Sequence, residues 1–270
     1  MSGLAGKQIL VTRAAEQYER VASLIEQRGA HALSLPCLAV QCMPDHIRTA
    51  MNQLRSDSSI LLSSANGVDC AAQALGDDFI PVFSRHPVIV VGSHTAQALA
   101  TYDIQAAWTA DEASQDGLIR DFAGRDMPAR ICFLRAEQGS DVLQEFLQAQ
   151  GVAVELVHAY RTICPDDDNP EITHALQLGV IDAVLLGSSR TAQHYVQRIG
   201  DATLADKPAV AVISRQVADA AQYAGLSVQA VAKEASFVAM LNALEEFFTA
   251  EPKTSAAIAA TRSTMEETHR

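Results

Sequence analysis

The sequence predicts an α/β protein made of two similar doubly wound parallel-sheet domains. Three observations predict it: short Val/Ile/Leu runs spaced along the chain, helical periodicity in most of the gaps, and a self-match that recurs at an offset of 122 residues. Strands of a parallel sheet are buried on both faces and read as continuous apolar runs, and strand alternating with helix implies right-handed crossovers.

Ten such runs are legible, at 8–12, 31–35, 59–63, 88–91, 105–108, 130–134, 153–157, 182–186, 209–213 and 227–230, enough for two five-stranded sheets. The first, Ile9-Leu10-Val11-Thr12-Arg13-Ala14, lies 122 residues before Ile131-Cys132-Phe133-Leu134-Arg135-Ala136, and both end in Arg-Ala. Amphipathic segments follow each, carried by Val21, Leu24 and Ile25 and by Leu143, Phe146 and Leu147, and stop at Gly29 and Gly151, again 122 apart. Glycine is the residue most often found just past a helix end. Residues 61–66 pair with 185–190 once two residues are inserted; 90–96 match 212–218, and 110–114 match 232–236, both at 122. Unrelated α/β units share strands and helices but not a constant register, so the match reads as an internal duplication.

Two extended stretches, 36–41 and 158–163, interrupt the alternation, each after the second strand of its half, and both are candidate hinges. One reading has two contiguous lobes divided near Gly124-Arg125. The other has the chain leave the first lobe after residue 35, build the second, and return through the linker Pro165-Asp166-Asp167-Asp168-Asn169-Pro170. The tail at 251–270, rich in Ala, Thr and Glu, is expected to fray and is assigned no function.

At 270 residues and 49% hydrophobic, the chain can bury one large core or two small ones. A net charge of −12 argues against a nucleic-acid partner, which needs a basic face. No apolar run approaches the roughly 20 residues of a membrane span, and no charged leader with an apolar stretch opens the chain. A soluble, cytoplasmic protein with no membrane partner is expected, and with no long apolar stripe demanding a second chain, a monomer. Five scattered cysteines without a C-x-x-C pair read as reduced thiols, and eight dispersed histidines suggest no metal site. Phosphate-loop, dinucleotide and nucleophile-elbow motifs are absent, so no cofactor is expected.

Doubly wound sheets bind ligands at the carboxyl ends of their strands. Standing there are Thr12 and Arg13; Ser63, Ser64 and Asn66; Gly92, Ser93 and Thr95; Arg135; Ser188 and Ser189; and Ser214. Small hydroxyls, glycine and arginine before helix amino ends suit an anionic small molecule. The same hydroxyls serve as helix caps, and both roles can hold together. His94 is a weaker acid–base candidate, because its repeat counterpart is Gln216.

These segments resemble the uroporphyrinogen-III synthase family. The resemblance rests on Val11-Thr12-Arg13, Leu62-Ser63-Ser64-Ala65-Asn66-Gly67-Val68, Val91-Gly92-Ser93-His94-Thr95-Ala96, Ala159-Tyr160-Arg161-Thr162, Leu186-Gly187-Ser188-Ser189 and Glu234-Ala235-Ser236, and spans residues 7 to about 248. It implies two flavodoxin-like domains joined by a two-stranded β-ladder: residues 1–35 with 170–250 as one, and 40–165 inserted as the other. It further implies a cofactor-free lyase of porphyrin and heme biosynthesis. Such an enzyme closes the linear tetrapyrrole hydroxymethylbilane, with its eight carboxylates, to uroporphyrinogen III, losing water and inverting the terminal pyrrole ring. Tyr160 falls at the family's tyrosine position, where a phenol can protonate the leaving hydroxyl; it also reads as a packing aromatic with a polar tip. Arg13, Ser64, Thr95 and Ser188 fall at family substrate-binding positions. The turn at 214–218 departs from the pattern, having lost both the glycine and the threonine of its counterpart. The competing expectation is a non-catalytic two-lobed binding protein for a small anionic ligand.

Overall fold

The computed structural model describes residues 2–14, 17–123 and 125–250; the tail at 251–270 and Gly124 lie outside the described residues. The chain opens with β1 (Gln8–Val11), α1 (Tyr18–Glu26) and β2 (His31–Ser34). It continues through β3 (Ala39–Cys42), α2 (Pro44–Gln53), β4 (Ser58–Leu62), α3 (Ala65–Leu75), α4 (Phe79–Phe83), β5 (Val88–Val90), α5 (Ser93–Ala100), β6 (Trp108–Thr109), α6 (Gln115–Phe122), β7 (Arg130–Ala136), α7 (Val142–Ala149) and β8 (Ala153–Ile163). The last stretch holds α8 (Pro170–Leu178), β9 (Ala183–Leu186), α9 (Ser189–Ile199), α10 (Ala202–Ala205), β10 (Ala209–Val212), α11 (Arg215–Tyr223), β11 (Val228–Val231) and α12 (Phe237–Ala250).

Packing divides these elements into two compact units, one of residues up to Ala39 together with those from Cys164 onward, the other of Val40–Ile163. The first holds a five-stranded sheet in the order β11-β10-β9-β1-β2, with every pairing parallel. The second holds a six-stranded sheet in the order β3-β8-β7-β4-β5-β6, parallel from β8 to β6. Strands matched by the repeat take matching places: β8, β7, β4, β5 and β6 stand in one sheet where β2, β1, β9, β10 and β11 stand in the other.

The central strands of each sheet are buried on both faces, which is why they read as apolar runs. On β4, Ile60 and Leu62 enter one cluster and Leu61 the opposite one; on β7, Cys132 and Leu134 separate in the same way from Ile131 and Phe133. On β1, Leu10 faces one cluster while Ile9 and Val11 face the other. Each such side chain contributes roughly 1.5–3 kcal/mol on burial.

The described residues hold eleven strands rather than ten. The added one is β3, within a stretch read from the sequence as a hinge. Its residues are half-buried or exposed, with no solid apolar run, and it is held at the sheet edge by backbone pairing to β8. Met43 N–H donates to Ala159 O at 2.8 Å, and Arg161 Nε to Gln41 Oε1 at 2.6 Å. β8 runs unbroken through both 153–157 and the second hinge stretch. The expected strand at 105–108 is instead the two-residue β6.

The cysteines also depart from expectation. Cys42 at the end of β3 and Cys70 on α3 are joined in a disulfide, not left as reduced thiols. They stand 28 residues apart in no motif, and only the packing of α3 beside β8 and β3 brings them together. Cys37 and Cys132 are buried and free, and Cys164 is half-buried and free.

Five serines stand at helix starts. Ser64, Ser114, Ser188, Ser214 and Ser236 each accept the N–H three residues on, capping α3, α6, α9, α11 and α12. Replacing such a cap by alanine typically costs about 1 kcal/mol. α5 starts differently, at Gly92 with φ +85°, where a Cβ would come within 2.7 Å of the Ala113 methyl. No side chain fits that turn.

Candidate functional site

The strand-end residues lie where each β-strand hands over to a helix. In the Val40–Ile163 unit these are the ends of β4 (Ser63, Ser64, then Asn66), β5 (Gly92, Ser93, Thr95) and β7 (Arg135), with Tyr160 of β8 opposite the last residue of β7. In the other unit they are the ends of β1 (Thr12, Arg13), β9 (Ser188, Ser189) and β10 (Ser214).

Tyr160 reaches its place through an irregularity. β7 and β8 pair in step until Arg135 meets His158; then Ala136 meets Tyr160, so β8 carries one residue more than its partner. A bulge of this kind re-aims the side chain that follows. Val157 and Ala159 already face the cluster containing Cys70, Val68 and Leu62, and the extra residue turns Tyr160 to that cluster as well. Its ring is buried, with 7% of the residue exposed, and its hydroxyl lies 2.7 Å from Ser64 Oγ. Ser64 Oγ also accepts the Gly67 N–H, at 3.3 Å, so the phenol is held at the amino end of α3.

A hydroxyl has one proton to give. Thr12 Oγ1 gives its proton to Leu185 O (2.6 Å) and Thr95 Oγ1 to Val91 O (3.1 Å), and both residues are buried. Neither can donate to a ligand while those bonds stand. Ser188 Oγ shares a short contact with Thr191 Oγ1 besides capping α9. Ser214 caps α11 through its oxygen alone, which leaves its proton to give. Ser63 and Ser189 are half-buried, Asn66 and Ser93 exposed, and all four can offer donors.

The two arginines at matching repeat positions have diverged. Arg135 is 3% exposed, and its guanidinium turns back to Ser140 O and the Asp141 carboxylate, so its charge is spent within the fold. Arg13 enters no ion pair among the described residues, and its buried Nε has no hydrogen-bond partner. Its guanidinium stands 5.4 Å from the Phe237 ring centre, and burial lowers its pKa from the ordinary value. A guanidinium stays protonated through such a shift and gains from an anion.

The sequence pointed to these strand ends but not to which hydroxyls are already engaged, since that depends on backbone carbonyls contributed by neighbouring strands. A cavity of 640 Å³ is lined by Cys164–Pro170, Thr173, His174, Gln177 and the carboxyl end of α9, and includes none of the strand-end residues. Among the described residues, no three His, Cys, Asp or Glu side chains gather to hold a metal ion. No described helix is long and apolar enough to cross a membrane.

Residues 19–242 match the family model described as uroporphyrinogen-III synthase HemD. The chain is 29% identical over 201 residues to a uroporphyrinogen-III synthase of Synechococcus elongatus, covering 72% of this chain and 75% of that one. It is 25% identical over 250 residues to the porphyrin biosynthesis protein HemD of Ruminiclostridium josui, covering 90% of this chain and 49% of that one. In three dimensions it is similar to the uroporphyrinogen-III synthetase of Helicobacter pylori, at a TM-score of 0.56 and 14% identity over 87% of this chain and 97% of that one.

Proposed function

The chain belongs to the uroporphyrinogen-III synthase family, and from that premise we propose that it catalyses the ring closure of hydroxymethylbilane to uroporphyrinogen III. The observation that carries the reading is Tyr160: a buried phenol in β8 beside the carboxyl end of β7, turned inward by a bulge and hydrogen-bonded at a helix amino end.

Tyr160 is proposed as the general acid. The pyrrole nitrogen drives out the terminal hydroxyl, the C–O bond breaks, and the phenol proton goes to the departing oxygen, so that water leaves. The carbon left electron-poor bonds first to the already substituted α-carbon of the terminal pyrrole; the older bond from that carbon to its bridging methylene then breaks, the freed methylene joins the ring's unsubstituted α-carbon, and the proton lost there returns to the phenolate. Positioning supplies much of the remaining acceleration, because the electron push belongs to the substrate.

Eight carboxylates need donors, and each unit offers its own. In one, Arg13, Ser189 and Ser214 have protons to give; in the other, Ser63, Asn66, Ser93 and the uncapped amino end of α5 after Gly92 do. Thr12, Thr95 and Arg135 serve these positions indirectly, by fixing the strand ends.

Incubation with hydroxymethylbilane, followed by isomer analysis, tests the reading. The ring-inverted isomer III should form faster than the uninverted product of spontaneous closure. Folded protein that yields only the uninverted isomer overturns the proposal, and binding without turnover would support a two-lobed binding protein instead.

A further inference from the structure

We infer that Ser64 is a positioning residue for Tyr160, setting which way the phenol proton points rather than meeting the substrate itself; this rests on the proposed reaction. Ser64 Oγ has one proton and two lone pairs. One lone pair takes the Gly67 N–H, and the remaining contact at this oxygen is Tyr160 Oη at 2.7 Å.

The two possible directions of that bond have opposite chemical consequences. If Tyr160 donates to Ser64, the phenol proton is tied up and cannot reach a leaving group. If Ser64 donates to Tyr160, the phenol proton is released toward the substrate, and the serine proton stays on the oxygen that becomes a phenolate. Only the second arrangement serves an acid. It also gains strength during the reaction, because a hydrogen bond to an ionised oxygen is stronger than one to a neutral phenol, and the amino end of α3 favours the same negative charge. The Ser64 bond therefore stabilises the transition state more than the ground state, which places its effect in kcat.

The repeat supports a dedicated role. Ser188, the matching cap on α9, faces Thr191 where Ser64 faces a tyrosine, and the corresponding strand β2 ends at Ser34. The capping serine is common to both units, and only one copy carries the acid.

The experiment measures kcat and KM for hydroxymethylbilane in Ser64→Gly, Ser64→Thr, Tyr160→Phe and the Ser64→Gly/Tyr160→Phe double variant. Glycine caps helices almost as well as serine but has no hydroxyl, which keeps the fold out of the comparison. Ser64→Gly should lower kcat about tenfold to a hundredfold, the value of one charge-assisted hydrogen bond, with KM within about twofold. Ser64→Thr should restore most of the loss, and Ser64→Gly should add nothing once Tyr160 is Phe. Additive losses, or a rise in KM alone, overturn the proposal. A second measurement does not depend on turnover: the near-ultraviolet spectrum of the Tyr160 phenol, taken as the difference from Tyr160→Phe, should change on Ser64→Gly. An unchanged spectrum refutes the contact, whereas a changed spectrum in a protein that makes no isomer III overturns only the proposed reaction.

Discussion

Tyr160 Oη and Ser64 Oγ stand 2.7 Å apart although 96 residues separate them in the chain, and the serine is at once the cap of α3. Tyr160→Phe removes the hydroxyl and leaves a ring that still fills its place in the core. Loss of a general acid typically costs about 10² to 10⁴ in rate. Steady-state assays should show kcat falling within that span with KM little changed, while the thermal midpoint moves by no more than a few degrees. An unaltered kcat would remove Tyr160 from the chemistry.

The contrast between Arg13 and Arg135 gives a second expectation. Arg13→Gln deletes a charge with no carboxylate partner among the described residues, so stability should barely change while KM rises about tenfold or more. Arg135→Gln breaks bonds to Ser140 O and Asp141 and should cost about 1–3 kcal/mol of stability, read from urea unfolding. Equal effects on KM from both would contradict the division of labour between them.

The buried strands were legible because each is apolar on both faces, and the repeat register located them twice; Ile9-Leu10-Val11 and Ile131-Cys132-Phe133 needed no structural input. β3 was not, since an edge strand such as Ala-Val-Gln-Cys is held by backbone bonds that leave no side-chain pattern. The site was legible as a set of strand ends but not in its detail. That Tyr160 turns inward depends on one extra residue opposite β7, and a period-two reading of Val157, Ala159 and Tyr160 puts the tyrosine on the other face. The engagement of Thr12 and Thr95 depends on carbonyls of Leu185 and Val91, which no hydroxyl pattern reveals. Spacing likewise could not join Cys42 to Cys70.

That disulfide closes a loop 28 residues long in sequence, and chain entropy alone assigns it about 3–4 kcal/mol. Unfolding in the presence of a dithiol reductant, or of the Cys42→Ser/Cys70→Ser variant, should lower stability by about that amount. The transition affected should be that of the Val40–Ile163 unit, which contains both cysteines. If stability is the same with and without reductant, the two thiols are not joined in solution.

Alkali provides the last test, through Cys132 in the centre of β7. Burial pushes its thiol up to about 12 from an ordinary 9.0, with Glu155 adding in the same direction. The folded pKa is thus raised, so the unfolded chain gives up this proton first as pH climbs. The contribution is fully present below the unfolded value near 9, declines between about 9 and 12, and is lost once the folded value is passed. The slope from this one group is at most about 1.4 kcal/mol per pH unit. Cys37, raised to about 12 mainly by burial, adds to it in the other unit. Cys132→Ala removes the ionisable group at the cost of a small cavity. Its stability should start lower at pH 8 and fall less steeply toward pH 11 than that of the parent protein, as measured by denaturant unfolding at each pH. Parallel curves would mean that Cys132 titrates alike in the folded and unfolded chains.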